Sequence, residues 1–402
     1  MRRLLPVLLV LLAACGRGEA LTSATPLHEA ARPAHVLRIP DPSGVSLLDT
    51  DAGRVLTRVR DGVRSRNWVF QARLTPTGTL VHAVDGRGES VWQRDLDGDL
   101  AVRVASSDGT RVGLLPFEDA RVDPYHPAGR LTTALTVLPT DGGEPRTYEL
   151  DGNFEPEAFS TSGRSLFVVE YVPPEAPDRY RVRKLDLDTG EVGAVYSVDG
   201  HLQESMRGTA RVQAMDADGS RLYTLYTTDD GTAFVHVLDL DEEWAHCVDL
   251  PAPIGASPEQ LLAIAASPED DRVVVVDALA GVAELDTASL TVDRTVELVV
   301  DPTQAGRVMA LLGRDGRLLT GVGTTLAVLD RNLAFERMWS APTTILGIHL
   351  DPGDERVWAL GDEAIYALDP RTGDVLQAAA LPDGMPRIDV PDPWAPVMQC
   401  AC

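Results

Sequence analysis

Lysine is almost absent from this chain: Lys184 stands alone, and every other basic residue is arginine. We read that as the codon usage of a GC-rich genome. Asparagine occurs only at Asn67, Asn153 and Asn332, and cysteine only at Cys15, Cys247, Cys400 and Cys402. Beyond the first dozen residues no apolar run approaches the roughly 20 residues that cross a bilayer. The longest, over 272–283, is broken by Asp277 and Gly281. No stretch carries a sustained helical period with caps, which excludes a helical bundle or an α/β fold. There is no Gly-x-Ser-x-Gly, no His-Glu-x-x-His and no phosphate-cradling Gly-x-x-x-x-Gly-Lys, so those catalytic classes have no sequence support. Gly86-Arg87-Gly88 lacks a third glycine. Positive charge is also scarce: 36 Lys+Arg face 61 Asp+Glu, for a net charge of -25. Such a surface repels phosphate backbones and anionic headgroups, so nucleic acid is not an expected partner.

What is present begins at the N-terminus. Met1-Arg2-Arg3 is a short cationic start, Leu4 to Leu12 is nearly all apolar, and Leu12-Ala13-Ala14-Cys15 closes the segment. That is the pattern of a cleaved export signal, over residues 1–14. Leu-Ala-Ala-Cys resembles the bacterial lipoprotein box, which implies acylation of Cys15 and attachment to a membrane through its lipid. Residues 15–34 are small and polar with Pro26 and Pro33, as in a flexible tether. Export to an oxidising compartment leaves Cys247, Cys400 and Cys402 as candidates for one disulfide and one free thiol.

From residue 35 to 382 the chain repeats itself, leaving a tail over 383–402. One unit is a short apolar strand, a Ser/Asp/Gly turn, a second strand, a third ending in Leu-Asp, a tight turn and a fourth strand. Clear copies are Met215 to Asp239, Ile264 to Asp286, Leu312 to Asp330 and His349 to Asp369. The first turn of each unit recurs at Arg66, Gly109, Gly163, Gly219, Asp270, Gly316 and Asp354. Those intervals are close to the roughly 40–50 residues of one propeller blade. The expectation is an all-β, seven-bladed β-propeller. His35 to Asp51 holds an extra strand pair with its own Leu48-Asp49; we expect it to pair with the last blade and close the ring. Eight blades is the alternative.

Leu368-Asp-Pro-Arg-Thr-Gly-Asp-Val-Leu376 and Leu185-Asp-Leu-Asp-Thr-Gly-Glu-Val192 resemble bacterial YVTN-type and quinoprotein-like propeller repeats. The Ser-Asp-Gly and Ser-Pro-Glu turns resemble WD-type and Tol-system propellers. The resemblance implies blades rather than a chemistry. Where the quinoprotein pattern implies an aromatic after the Thr-Gly turn, this chain has Ala194 and Gln377, so no cofactor is expected.

Candidate functional residues are few. Asp95-Leu-Asp97-Gly98-Asp99 fails as a helix-loop-helix calcium loop, because its sixth and twelfth positions hold Leu100 and Ser106. Asn153, Glu155 and Glu157, with His201 and Glu204, precede or form first strands and are candidate channel-facing polar groups; no metal site or catalytic set is assigned. The expected function is a membrane-anchored, extracytoplasmic binding or scaffolding module, more a docking protein than an enzyme. Protein partners would dock through loops such as 119–129 and 173–179. The alternative is a hydrolase or lactonase using a divalent cation in the channel, for which asparagine and glutamate ligands are required.

Overall fold

A computed structural model describes residues 26–27, 36–41, 44–117, 128–202, 205–298, 307–351, 355–361 and 364–381. Cys15, Glu204, Cys400, Cys402, the export signal, the tail over 383–402 and most of the 119–129 loop lie outside them. Antiparallel strands account for almost all regular structure, and the one helical element described is the short 3-10 turn Glu259–Leu261.

The described strands form eight separate sheets: seven of four strands and one, at the start, of three. In chain order the blades span residues 36–60, 63–96, 100–151, 153–194, 209–249, 262–296, 309–340 and 345–380. Each buries alternate residues on both faces. Eight apolar clusters follow, and each is shared by two neighbouring blades, from Val45, Leu47 and Val69 between blades 1 and 2 onwards. The ring closes where Leu37, Ile39 and Leu48 of blade 1 pack on Trp358, Leu360 and Ile365 of blade 8. Each such side chain contributes about 1.5–3 kcal/mol when fully removed from water.

The chain therefore has eight blades, which corrects the seven expected from the repeat. Val36–Asp41 and Gly44–Asp49 do not pair with the last blade; they pair with each other and then with Arg54–Arg60. Among the described residues, closure is by side-chain packing between blades 8 and 1, without a shared hydrogen-bonded sheet. The recurring Leu-Asp explains the eighth blade. In blades 4 to 8 the aspartate, at Asp186, Asp239, Asp286, Asp330 and Asp369, accepts backbone N–H groups from the tight turn into the fourth strand. The leucine before it is buried, as at Leu285 and Leu329. Asp49 does the same with the N–H groups of Asp51 and Ala52. By that turn, the three strands of blade 1 correspond to the second, third and fourth of the other blades.

The first-turn positions at Arg66, Gly109, Gly163, Gly219, Asp270 and Gly316 fall between the first and second strands of blades 2 to 7; Asp354 lies outside the described residues. First strands of neighbouring blades lie side by side around most of the ring, so they line its axis. Within the stretch expected to be a tether, Leu27 is fastened: its N–H donates to the Thr140 carbonyl at 2.8 Å, and its side chain packs on the seam of blades 2 and 3.

Candidate functional site

Asn153, Glu155 and Glu157 sit on Asn153–Phe159, the first strand of blade 4. They do not act as one cluster. Asn153 and Glu155 are joined by Arg130, which arrives from the long connection between the second and third strands of blade 3. Arg130 Nη2 donates to Asn153 Oδ1 at 3.0 Å, to the Phe154 carbonyl at 2.8 Å and to Glu155 Oε1 at 2.8 Å. Its Nε donates to the same Asn153 oxygen at 3.2 Å. The Asn153 amide donates in turn to the Ala128 carbonyl at 2.8 Å and the Pro174 carbonyl at 3.4 Å. The Arg130 backbone N–H also reaches Pro174 O, at 2.8 Å.

Asn153, only 1% exposed, thus ties together two loops on neighbouring blades, one ending at Arg130 and the other beginning at Pro173. The approach is close enough to require glycine at position 129, where a Cβ would lie 1.9 Å from the Glu175 carbonyl oxygen. Arg130 is the residue sequence reasoning missed. Its signal was faint: one arginine closing a loop, with no motif around it. Both side-chain ends of Asn153 are committed to this brace, which leaves it no free donor set for a cation. Among the described residues, no group of three or more His, Cys, Asp or Glu is placed to hold a metal ion.

Glu157 lies elsewhere. It is the extra residue of a β-bulge between Pro156 and Ala158 and is 5% exposed. Burial pushes its carboxyl up from 4.5 to about 7. The groups around it are tyrosines: the hydroxyls of Tyr171, Tyr180 and Tyr226 are all driven up, first by burial and then by neighbouring charge that includes Glu157. His201 joins neither group. It sits on an exposed turn closed by the Ser197 N–H to His201 carbonyl bond at 2.7 Å, with Asp199 at 3.8 Å.

Cys247, on the outer strand of blade 5, has no disulfide partner among the described residues, and its Sγ lies 3.4 Å from Met206 Sδ; its candidate partners Cys400 and Cys402 lie outside them. Burial, then Asp249, pushes the Cys247 thiol up to about 12.

At the opposite end of the ring from the braced loops, the first turn of blade 5 reaches across the axis. Arg66 Nη2 of blade 2 donates to the Asp218 carbonyl at 3.0 Å. Gly219 lies so near Ser107 of blade 3 that a Cβ there would be 2.4 Å from its hydroxyl. That end of the axis is bridged by polypeptide. Blades 5 and 6 also form a polar cleft of about 270 Å³, lined by Asp216, Asp218, Arg221, Asp270, Asp271 and Arg272 among others. Both arginines are paired with carboxylates outside that lining: Arg221 with Asp239 at 2.9 Å, and Arg272 with Glu284 at 2.5 Å.

No family model matches the chain, and no curated protein matches it. Solved structures do. A dihydro-heme d1 dehydrogenase, NirN, in complex with DHE is similar at a TM-score of 0.53 and 12% identity, over 89% of this chain and 75% of that one. A prolyl endopeptidase gives 0.51 and 16%, over 80% of this chain but 49% of that one, so this chain spans about half its length. BamB from Moraxella catarrhalis gives 0.46 and 12%, over 79% of this chain and 87% of that one. At these identities the likeness shows the propeller fold alone.

Proposed function

We propose that this eight-bladed propeller is a binding or scaffolding module for a protein partner, held at the outer face of a membrane by lipid on Cys15. The observation that carries the docking half of the reading is the brace at Asn153. Two loops from adjacent blades meet on one end of the ring and are pinned to the rigid first strand of blade 4 through Arg130, Asn153 and Glu155. Loops on a fixed scaffold are a common place for recognition, and pinning them beforehand lowers the ordering cost of binding. The opposite end of the axis is bridged by the Arg66–Asp218 contact, which turns the docking reading towards the braced end. Anchoring rests on the Leu-Ala-Ala-Cys sequence and the cationic, apolar segment before it.

The test is crosslinking in native membranes followed by mass spectrometry, with three forms of the protein. The wild-type chain is expected to yield a reproducible protein crosslink to residues 128–130 or 173–179. Cys15→Ala is expected to move the protein out of the membrane fraction, and Arg130→Ala to lose the crosslink while staying membrane-bound. A crosslink unaffected by Arg130→Ala overturns the docking site. Membrane retention of Cys15→Ala overturns the anchor.

A further inference from the structure

The seam between blades 4 and 5 is built unlike most of its neighbours. First strands lie side by side between blades 3 and 4, 5 and 6, 6 and 7, and 7 and 8, whereas Asn153–Phe159 and Thr209–Met215 make no such approach. The described parts of the connection, 195–202 and 205–208, run along this seam instead. Tyr196 bridges to Trp244 of blade 5, and Met206 bridges to Tyr180 of blade 4. Beside an aliphatic cluster around Phe167 and Leu238, the seam holds a second, aromatic one. Its rings are stacked: Tyr180 on Tyr226 at 4.7 Å, and Tyr226 on Phe234 at 5.4 Å, with His236 edge-on to Tyr226 at 6.2 Å.

Glu157 belongs to this cluster. Its Oε2 is buried without a hydrogen-bond partner. The titratable groups that face it are Tyr171 on Ser165–Val172, Tyr180 on Arg179–Asp186 and Tyr226 on Arg221–Thr227, and His236 on Ala233–Asp239, lowered to about 4 by burial and then by His246, stands edge-on to Tyr226. Cys247 lies behind Tyr180 and Tyr226, while Glu155 and Arg130 act on Tyr171. Desolvation is the one influence acting on the Glu157 carboxyl, with no cation offsetting it. A bulge residue carries an acid into a dry, aromatic wall, where its neutral form is tolerated and its charged form is not.

We propose that Glu157 makes this seam a proton-operated joint, locked while its carboxyl carries the proton and loosened when the carboxyl ionises. The proposal is independent of the partner and the anchor. Its direction follows from linkage. Because the folded value is raised, to about 7 from 4.5, the stabilisation is complete below 4.5 and is lost as pH rises through about 7. Between pH 5 and pH 8 the folding equilibrium constant should fall on the order of a hundredfold from this one group.

The experiment compares the wild-type chain with Glu157→Gln, a neutral isostere, by urea unfolding and by hydrogen exchange corrected for its intrinsic pH dependence. In the wild type, protection of amides in 153–172 and 209–227 should drop selectively above pH 7. The buried His236, lowered to about 4, contributes to stability in the opposite sense over the same range, so stability is read as the difference between the two proteins. Relative to Glu157→Gln, the wild-type folding constant should fall on the order of a hundredfold between pH 5 and pH 8, and Glu157→Gln should keep its protection at pH 8. Identical pH profiles for the two proteins overturn the proposal. Should the variant fail to fold, infrared spectroscopy of the wild type reads the same group directly. A protonated-carboxyl band that disappears near pH 7 supports the joint, and its absence at pH 5.5 overturns it.

Discussion

Replacing Arg130 by alanine tests the brace quantitatively. The guanidinium side chain is 16% exposed and serves three acceptors: Asn153 Oδ1, the Phe154 carbonyl and Glu155 Oε1. Hydrogen bonds from a charged donor contribute about 1.5–3 kcal/mol each, and a buried acceptor left dry costs about 1–3 kcal/mol. Glu155 is 27% exposed at its side chain and can recover water, so its loss is discounted. The Asn153 oxygen and the Phe154 carbonyl carry most of the penalty, and the expected destabilisation is about 2–4 kcal/mol. Arg130→Lys keeps the charge but loses the Nε–H bond to Asn153 Oδ1 and the fixed guanidinium plane that aims Nη2; about half the loss should return. Urea unfolding of the three proteins gives the energies, and hydrogen exchange at 128–134 and 172–179 reports whether the loops have come free. If Arg130→Ala lies within about 0.5 kcal/mol of wild type, the size of an ordinary surface substitution, the brace is not what holds these loops.

The remaining predictions concern buried charge and the thiol. Glu284, 5% exposed, is held by Arg272 at 2.5 Å and Arg294 at 3.2 Å; Arg272→Ala should cost about 3 kcal/mol or more in urea unfolding. Adding Glu284→Leu should recover part of that loss, and a double variant no more stable than the single one contradicts the account. The Cys247 thiol, pushed up to about 12, is almost wholly protonated at pH 8. Iodoacetamide should therefore label it slowly in the folded protein and rapidly in urea; equal rates would refute its burial.

Much of the fold was legible from local chemistry. The turn positions at Gly109, Gly163, Gly219 and Gly316 all have positive φ, between 65° and 79°, where glycine is favoured. Each marks the turn between a first and a second strand. Leu-Asp marks another turn because leucine seeks the seam and the aspartate carboxylate satisfies two turn amides. Blade 1 was misjudged because its first described strand takes the place of a second one, and Arg54–Arg60 carries arginines at both ends and at Arg58. Its weak alternation hid the third strand. Asn153, Glu155 and Glu157 were picked out, with His201 and Glu204, as polar groups that precede or form first strands. The bulge at Glu157 turns it away from Asn153 and Glu155, and only packing reveals it.

The sequence by itself determined that strands would be short, antiparallel and repeated, since turn residues and alternating burial act within a few neighbouring positions. Tertiary structure decided how many blades closed the ring, that blade 5 would bridge the axis to Arg66, and that Glu157 would face tyrosines across a seam. These depend on which distant surfaces meet. Arg66 and Asp218 are 152 residues apart, and no local pattern in the chain encodes such an encounter.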